Sequence, residues 1–255
     1  MNRPIYQNPH LDGKSFSMTG NNGVGVLLFH GLTSTTVEVR PLAEYLNQAG
    51  FSVVSPILPG HGTTPEDVNS VHRKQWLETA EQSYQVMKSQ VDKVIIGGAS
   101  MGGLLALHLA ETNYDISGLV LFAPAIHING QWKAQFLAPF VKIMPKPYLT
   151  DESPTPDVYP WQGYTVVPVP AVAQFHRLQK QVRRGLSKVR APVLIFQGVK
   201  DTTIVPSKAA FLYNKIPGAD KKLIWLENSG HTLLLGLEHP LVYQATKKFI
   251  DRVTK

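Results

Sequence analysis

The chain has 255 residues, 43% hydrophobic and 17% charged, an ordinary globular composition that supports one domain with a sizeable core. Its longest apolar runs, such as 25–29 and 193–196, fall far short of the roughly 20 residues that a bilayer-spanning helix needs. With no cysteine, the sequence excludes disulfides, thiolate metal sites and cysteine nucleophiles. The net charge of +7 is concentrated, because residues 131–190 carry nine basic side chains against three acidic ones. No nucleic-acid motif accompanies that cluster, so no nucleic-acid partner is expected. It reads as a solvated face or as a means of peripheral contact with an anionic lipid surface. Residues 1–17 contain no continuous apolar stretch of the secretory type, and a cytoplasmic location is expected.

Along the chain, residues 25–29 form a continuously apolar run that reads as a strand buried on both faces, which implies a parallel sheet. Val39, Leu42, Ala43, Leu46 and Ala49 fall at helical spacing, with Gly50 as terminator. A strand over 51–58 precedes Pro59-Gly60-His61-Gly62. Then come a helix over 76–87, a strand over 94–96, a helix over 104–110 and a strand over 119–122. The alternation resumes with a strand over 193–196, a helix over 207–216, a strand over 223–226 and a helix over 241–253. Such alternation predicts an α/β fold with a doubly wound, mostly parallel sheet.

Residues 125–190 break the pattern. Eight prolines between Pro139 and Pro170 argue against a long uninterrupted helix, while Trp132, Phe136, Phe140, Tyr148, Tyr159, Trp161 and Tyr164 argue against disorder. The segment is predicted to be a cap inserted into a single domain spanning 1–255.

The sharpest chemical signal is Gly98-Ala99-Ser100-Met101-Gly102, set between a predicted strand and a predicted helix. This is the G-x-S-x-G pattern of a nucleophile elbow, in which flanking glycines let neighbouring backbone pass close to a strained serine. A serine hydroxyl needs a base within reach, and that base needs an orienting carboxylate. Asp201 follows the strand 193–196, and His231 follows the strand 223–226 through Asn228-Ser229-Gly230, so both reach the carboxyl edge of the sheet with Ser100. His30 reads as a loop residue beside the site and His61 as an organiser of its own loop. His10, His72, His108, His127, His176 and His239 lie in termini, predicted helices or the insertion. Asp220 precedes a strand and Asp251 lies in the last helix, which places both acids away from that edge.

Acyl transfer also needs two N–H donors for the developing oxyanion. Met101, next to the nucleophile, is one candidate. Leu32, after His30-Gly31, is the other, and Leu32, His30 and Gly31 are further expected to line the substrate side.

These motifs together make the chain resemble the α/β-hydrolase superfamily, with closest similarity to its bacterial carboxylesterase and monoacylglycerol lipase branch over residues 22–124 and 190–253. The resemblance implies an acyl-enzyme mechanism without metal or organic cofactor. It places the nucleophile on Ser100, the acid on Asp201, the base on His231 and the oxyanion donors on Leu32 and Met101. Position 99 is Ala where many relatives carry a larger residue. The expected substrate is a small ester with an apolar acyl group, such as a monoacylglycerol or a short- to medium-chain ester. Thioester, lactone and carbon–carbon bond hydrolysis are the alternatives on the same triad, and a ligand receptor that keeps the triad is the non-catalytic one.

Overall fold

The computed structural model of the chain describes residues 5–112, 114–146, 157–218 and 220–255. After β1 (Tyr6–Gln7) and β2 (Phe16–Met18) comes β3 (Val24–Phe29), buried at all six positions as its unbroken apolar run requires. Then follow α1 (Arg40–Gln48), β4 (Ser52–Ser55), α2 (Pro65–Ser70), α3 (Arg73–Lys88), β5 (Lys93–Ala99), α4 (Met101–Glu111) and β6 (Gly118–Phe122). Beyond β6 lie α5 (Ala134–Leu137), β7 (Ile143–Pro145), β8 (Gly163–Tyr164), β9 (Val166–Pro168) and α6 (Val169–Gly185). The chain ends with β10 (Val193–Gly198), α7 (Ser207–Lys215), β11 (Lys221–Leu226) and α8 (His239–Val253).

Seven strands form one sheet in the order β11-β10-β6-β5-β3-β4-β2. Every neighbouring pair is parallel except β2 with β4. The fold is the predicted α/β one. Local chemistry starts the helices: Pro41 sits in the first turn of α1, and reciprocal caps open α2 (Thr64 with Asp67) and α3 (His72 with Gln75). His72 is therefore a cap rather than part of a helix interior. Helix α4 is buried along its whole length, held between the sheet and the helices α3 and α6.

The insertion differs from expectation in one respect. Helix α6 runs uninterrupted for 17 residues, with Pro170 in its first turn, where the missing N–H removes no helical bond. The other prolines of the segment precede it, and Pro147, Tyr148, Pro154 and Pro156 lie outside the described residues. Ala171, Phe175, Leu178 and Val182 of α6 join the main core beside Leu104, Leu105 and Leu109 of α4. The strand–helix alternation thus resumes at Val169, not near residue 190. The aromatics of the segment also divide: Tyr164 is fully buried, while Trp132, Phe136 and Phe140 are 53%, 69% and 86% exposed.

Candidate active site

Ser100 stands between β5 and α4 at φ 51° and ψ −109°, a conformation that costs a β-carbon-bearing residue about 1–3 kcal/mol. Neighbouring backbone holds it there. Ser100 N–H donates to the Phe122 carbonyl at 2.9 Å, and the Ser100 carbonyl accepts from Ala125 N–H at 3.1 Å. The two glycines of the elbow are sterically required. A β-carbon on Gly98 would lie 2.2 Å from the Gly102 carbonyl, and one on Gly102 would lie 2.1 Å from the Phe29 carbonyl oxygen.

Asp201 and His231 meet at the same sheet edge, with His231 Nδ1 and Asp201 Oδ2 2.8 Å apart. The carboxylate is buried and fully engaged. Thr203 and Ile204 N–H each donate to Oδ1 at 2.8 Å, and Gln197 Nε2 donates to Oδ2 at 2.9 Å. Burial opposes ionisation of Asp201, but His231 and these donors outweigh it and hold the carboxyl below the usual range. Burial likewise pushes His231 down, and the Asp201 charge reverses this and holds the imidazole above its ordinary value. With Nδ1 committed to Asp201, Nε2 is the nitrogen left to exchange a proton. The Ser100 hydroxyl makes no hydrogen bond among the described residues. The competing acids are engaged elsewhere, Asp220 by two 2.8 Å bonds from Arg252 and Asp251 by Lys247 at 2.7 Å.

The loop after β3 approaches Ser100 closely. A β-carbon on Gly31 would lie 3.3 Å from Ser100 Cβ, so glycine is what lets the next residue's backbone come near the nucleophile. Leu32 N–H donates to no acceptor among the described residues. Met101 N–H heads α4, where no preceding turn offers a carbonyl.

His30 corrects the sequence expectation that it lines the substrate side. It is fully buried, with Leu58 N–H donating to Nε2 at 3.1 Å and Nδ1 2.9 Å from the Gly31 carbonyl. Those two bonds make Nδ1 the protonated nitrogen and leave the ring nothing to offer a ligand. Its ring meets His61 edge to face at 5.0 Å, and burial holds both imidazoles neutral, His61 at about 4. The pair shapes the loop.

Three site residues were not legible as such in the sequence. Gln197, at the end of β10, positions Asp201. Glu38 is buried, and its Oε2 accepts Gly31 N–H at 2.6 Å, anchoring the loop from below. It is the sole charged residue between Lys14 and Arg40, a signal that could have marked it. Lys146, at the end of the β7 segment, donates to Thr33 Oγ1 and to the Tyr164 carbonyl, each at 2.7 Å. Nothing in its local sequence announces a half-buried ammonium.

A strained serine, a buried Asp–His pair and a close backbone loop at the carboxyl edge of a doubly wound sheet define a hydrolase of the α/β type. The family model described as serine aminopeptidase, S33, matches residues 22–162 and 160–238. The chain belongs to the α/β-hydrolase superfamily, in its ester-hydrolysing lipase and carboxylesterase branch. It is 32% identical over 250 residues to a thermostable monoacylglycerol lipase of Bacillus sp. (strain H-257), covering 96% of this chain and 98% of that one. It is 28% identical over 243 residues to a carboxylesterase of Bacillus subtilis (strain 168), covering 94% and 97%. Among solved structures, one reported with the metagenome-derived lipolytic enzymes LipS and LipT superposes with a TM-score of 0.86. It is 27% identical and covers 94% of this chain and 98% of that one. A soluble variant of monoglyceride lipase from Saccharomyces cerevisiae shares the fold at a TM-score of 0.78 and 20% identity, covering 97% and 94%.

Proposed function

We propose that the protein hydrolyses carboxylic esters with an apolar acyl group, monoacylglycerols or short- to medium-chain esters, through an acyl-enzyme on Ser100. The observation that carries this reading is the Asp201–His231 hydrogen bond at the sheet edge where the strained Ser100 also stands. His231 Nε2 takes the Ser100 proton as the hydroxyl oxygen attacks the ester carbonyl, and Leu32 and Met101 N–H hold the oxyanion. The imidazolium, stabilised by Asp201, returns the proton to the departing alkoxide. Water, deprotonated by the same His231, then attacks the acyl-enzyme and releases the acid. Nothing in these steps calls for a metal or an organic cofactor.

The relatives' names support a lipid-like acyl group, as does the energetics of apolar burial, which favours longer chains by about 0.8 kcal/mol per methylene. Exposed Trp132, Phe136 and Phe140 stand beside Lys133 and Lys142 in the sequence, a combination suited to peripheral contact with a lipid surface. No helix among the described residues is long and apolar enough to cross a membrane.

The test is hydrolysis of p-nitrophenyl esters from acetate to palmitate, beside monoacylglycerols, by the wild type and by Ser100→Ala. Serine-dependent turnover with an optimum beyond acetate is expected. Turnover retained by Ser100→Ala would rule the mechanism out, and an enzyme active only on acetate would rule out the lipid-like substrate.

A further inference from the structure

Lys146 is an unusual residue for its surroundings. It comes from the insertion, yet its ammonium is half-buried against the loop that follows β3, where Thr33 Oγ1 and the Tyr164 carbonyl each accept from it at 2.7 Å. The indole of Trp161 covers it at 5.0 Å. Thr33 itself is held at φ 67°, a left-handed conformation rare for a β-branched residue, and its carbonyl accepts Tyr164 N–H at 2.8 Å. Thr33 directly follows Leu32. The short segment Gly31-Leu32-Thr33 is therefore gripped from two sides by opposite charges, with Glu38 on Gly31 N–H at 2.6 Å and Lys146 on Thr33 Oγ1.

The charged and titratable groups facing Lys146 are few. Glu38 acts on it from the turn before α1, and Lys146 in turn acts on His231 from across the site. Tyr164 of β8 offers it only a carbonyl. No carboxylate lies within ion-pair distance of the ammonium among the described residues.

We infer that Lys146 is a positioning residue for the proposed ester hydrolysis, fixing the backbone of Leu32 for the oxyanion and setting a positive charge where it acts on His231. The inference rests on the reading of Leu32 N–H as an oxyanion donor. A cation so placed has two separable effects. By holding Thr33 it keeps the Leu32 N–H aimed, an effect felt in the transition state more than in substrate binding. By its charge it opposes protonation of His231, which keeps the imidazole available as a base at lower pH. Burial holds the Lys146 ammonium down at about 8, so its charge fades as the pH rises through that value, while the neutral amine can still donate to Thr33 and Tyr164.

The experiment compares the wild type, Lys146→Met, Lys146→Arg and Ser100→Ala on one soluble ester from pH 5 to 10. Lys146→Met is expected to lose 10- to 100-fold in kcat with KM within about threefold, and its acid limb should move to higher pH. A purely structural role would leave the acid limb in place. Lys146→Arg keeps the charge and the donors, so it should recover much of kcat and return the acid limb toward its wild-type position. If Lys146→Met does not fold, Lys146→Gln, which keeps a donor but not the charge, takes its place and should show the same shift of the acid limb. A folded Lys146→Met, or Lys146→Gln in its place, with unchanged kcat and acid limb would overturn the inference. Turnover retained by Ser100→Ala would instead overturn the ester-hydrolase mechanism on which it rests.

Discussion

The side-chain amide of Gln197 donates to Asp201 Oδ2 over 2.9 Å, reaching the same oxygen that His231 Nδ1 meets at 2.8 Å. One carboxylate oxygen is thus shared by a fixed donor and the mobile-proton partner, while the other is occupied by two backbone N–H groups. Gln197→Leu removes the fixed donor alone and is expected to lower kcat by roughly 5- to 20-fold. Asp201→Asn removes the charge and reverses the imidazole's preferred tautomer, for which a loss of about 10⁴-fold is expected. Steady-state kinetics of the two folded variants check this, and equal losses would mean that Gln197 is inseparable from the acid.

Activity and stability respond to pH through different histidines. His231 must be neutral to accept a proton, and Asp201 holds it above the ordinary imidazole value of about 6.5, so kcat/KM should climb with pH through a midpoint above that value. His30 and His61 are buried neutral, with pKa values depressed on folding. Their stabilisation is complete above about pH 6.5 and is lost as pH falls toward their folded values. His61, at about 4, accounts for about 3 kcal/mol over that window. The raised His231 works in the opposite sense, since its contribution is present below about 6.5 and disappears as pH rises through its folded value. Urea unfolding at pH 7.5, 5.5 and 4.5 should show a steady fall, and equal stability at all three would contradict the buried neutral pair.

The elbow tolerates no added carbon. In Gly102→Ala the new methyl would meet the Phe29 carbonyl oxygen at 2.1 Å, against backbone that cannot swing aside. Overpacking of this kind costs typically 1–3 kcal/mol and more when backbone must move, so a loss of at least about 3 kcal/mol is expected. Thermal unfolding measures it. Gly130→Ala has open space around its β-carbon position and should lose only what its left-handed φ of 76° costs, about 1 kcal/mol.

Helix α6 belongs energetically to the main body. Leu178→Ala empties a fully buried position in the core shared with α4 and should destabilise the protein by about 2–5 kcal/mol. Phe136→Ala, at an exposed position of α5, should change stability by less than about 0.5 kcal/mol. Chemical unfolding of both variants separates the two cases, and a similar effect for each would mean that α6 does not share the main core.

Much of the fold is legible in the sequence because a parallel sheet buried on both faces leaves unbroken apolar runs, as at β3 and β10, whose residues are all buried. Ser100, Asp201 and His231 reach one sheet edge as the sequence expects, because each lies in the loop that follows a strand: β5, β10 and β11. Other parts are not legible. Lys146 acts on a loop 113 residues away, while Gln197 and Glu38 reach partners four and seven residues off whose roles only the folded loops reveal. Helix α6 was hidden by the prolines before it, although the absence of proline from 171 to 185 and the spacing of Phe175, Leu178 and Val182 carry the helical signal. Strands β1, β8 and β9 are two or three residues long, too short for any periodicity.

Helix α6 also binds the point where the insertion leaves the sheet, with Gln179 Nε2 donating to the Ala125 carbonyl at 2.7 Å and Arg183 to the Ile126 carbonyl at 2.9 Å. Departure and return of the excursion are thereby fastened to one rigid rod. Substitutions between them are borne by that rod rather than by the sheet, except at Lys146, Asp157 and Tyr164, which reach the loops beside Ser100 and His231. Such a socket lets the rest of the cap vary, and with it the acids and alcohols admitted, around those few fixed contacts.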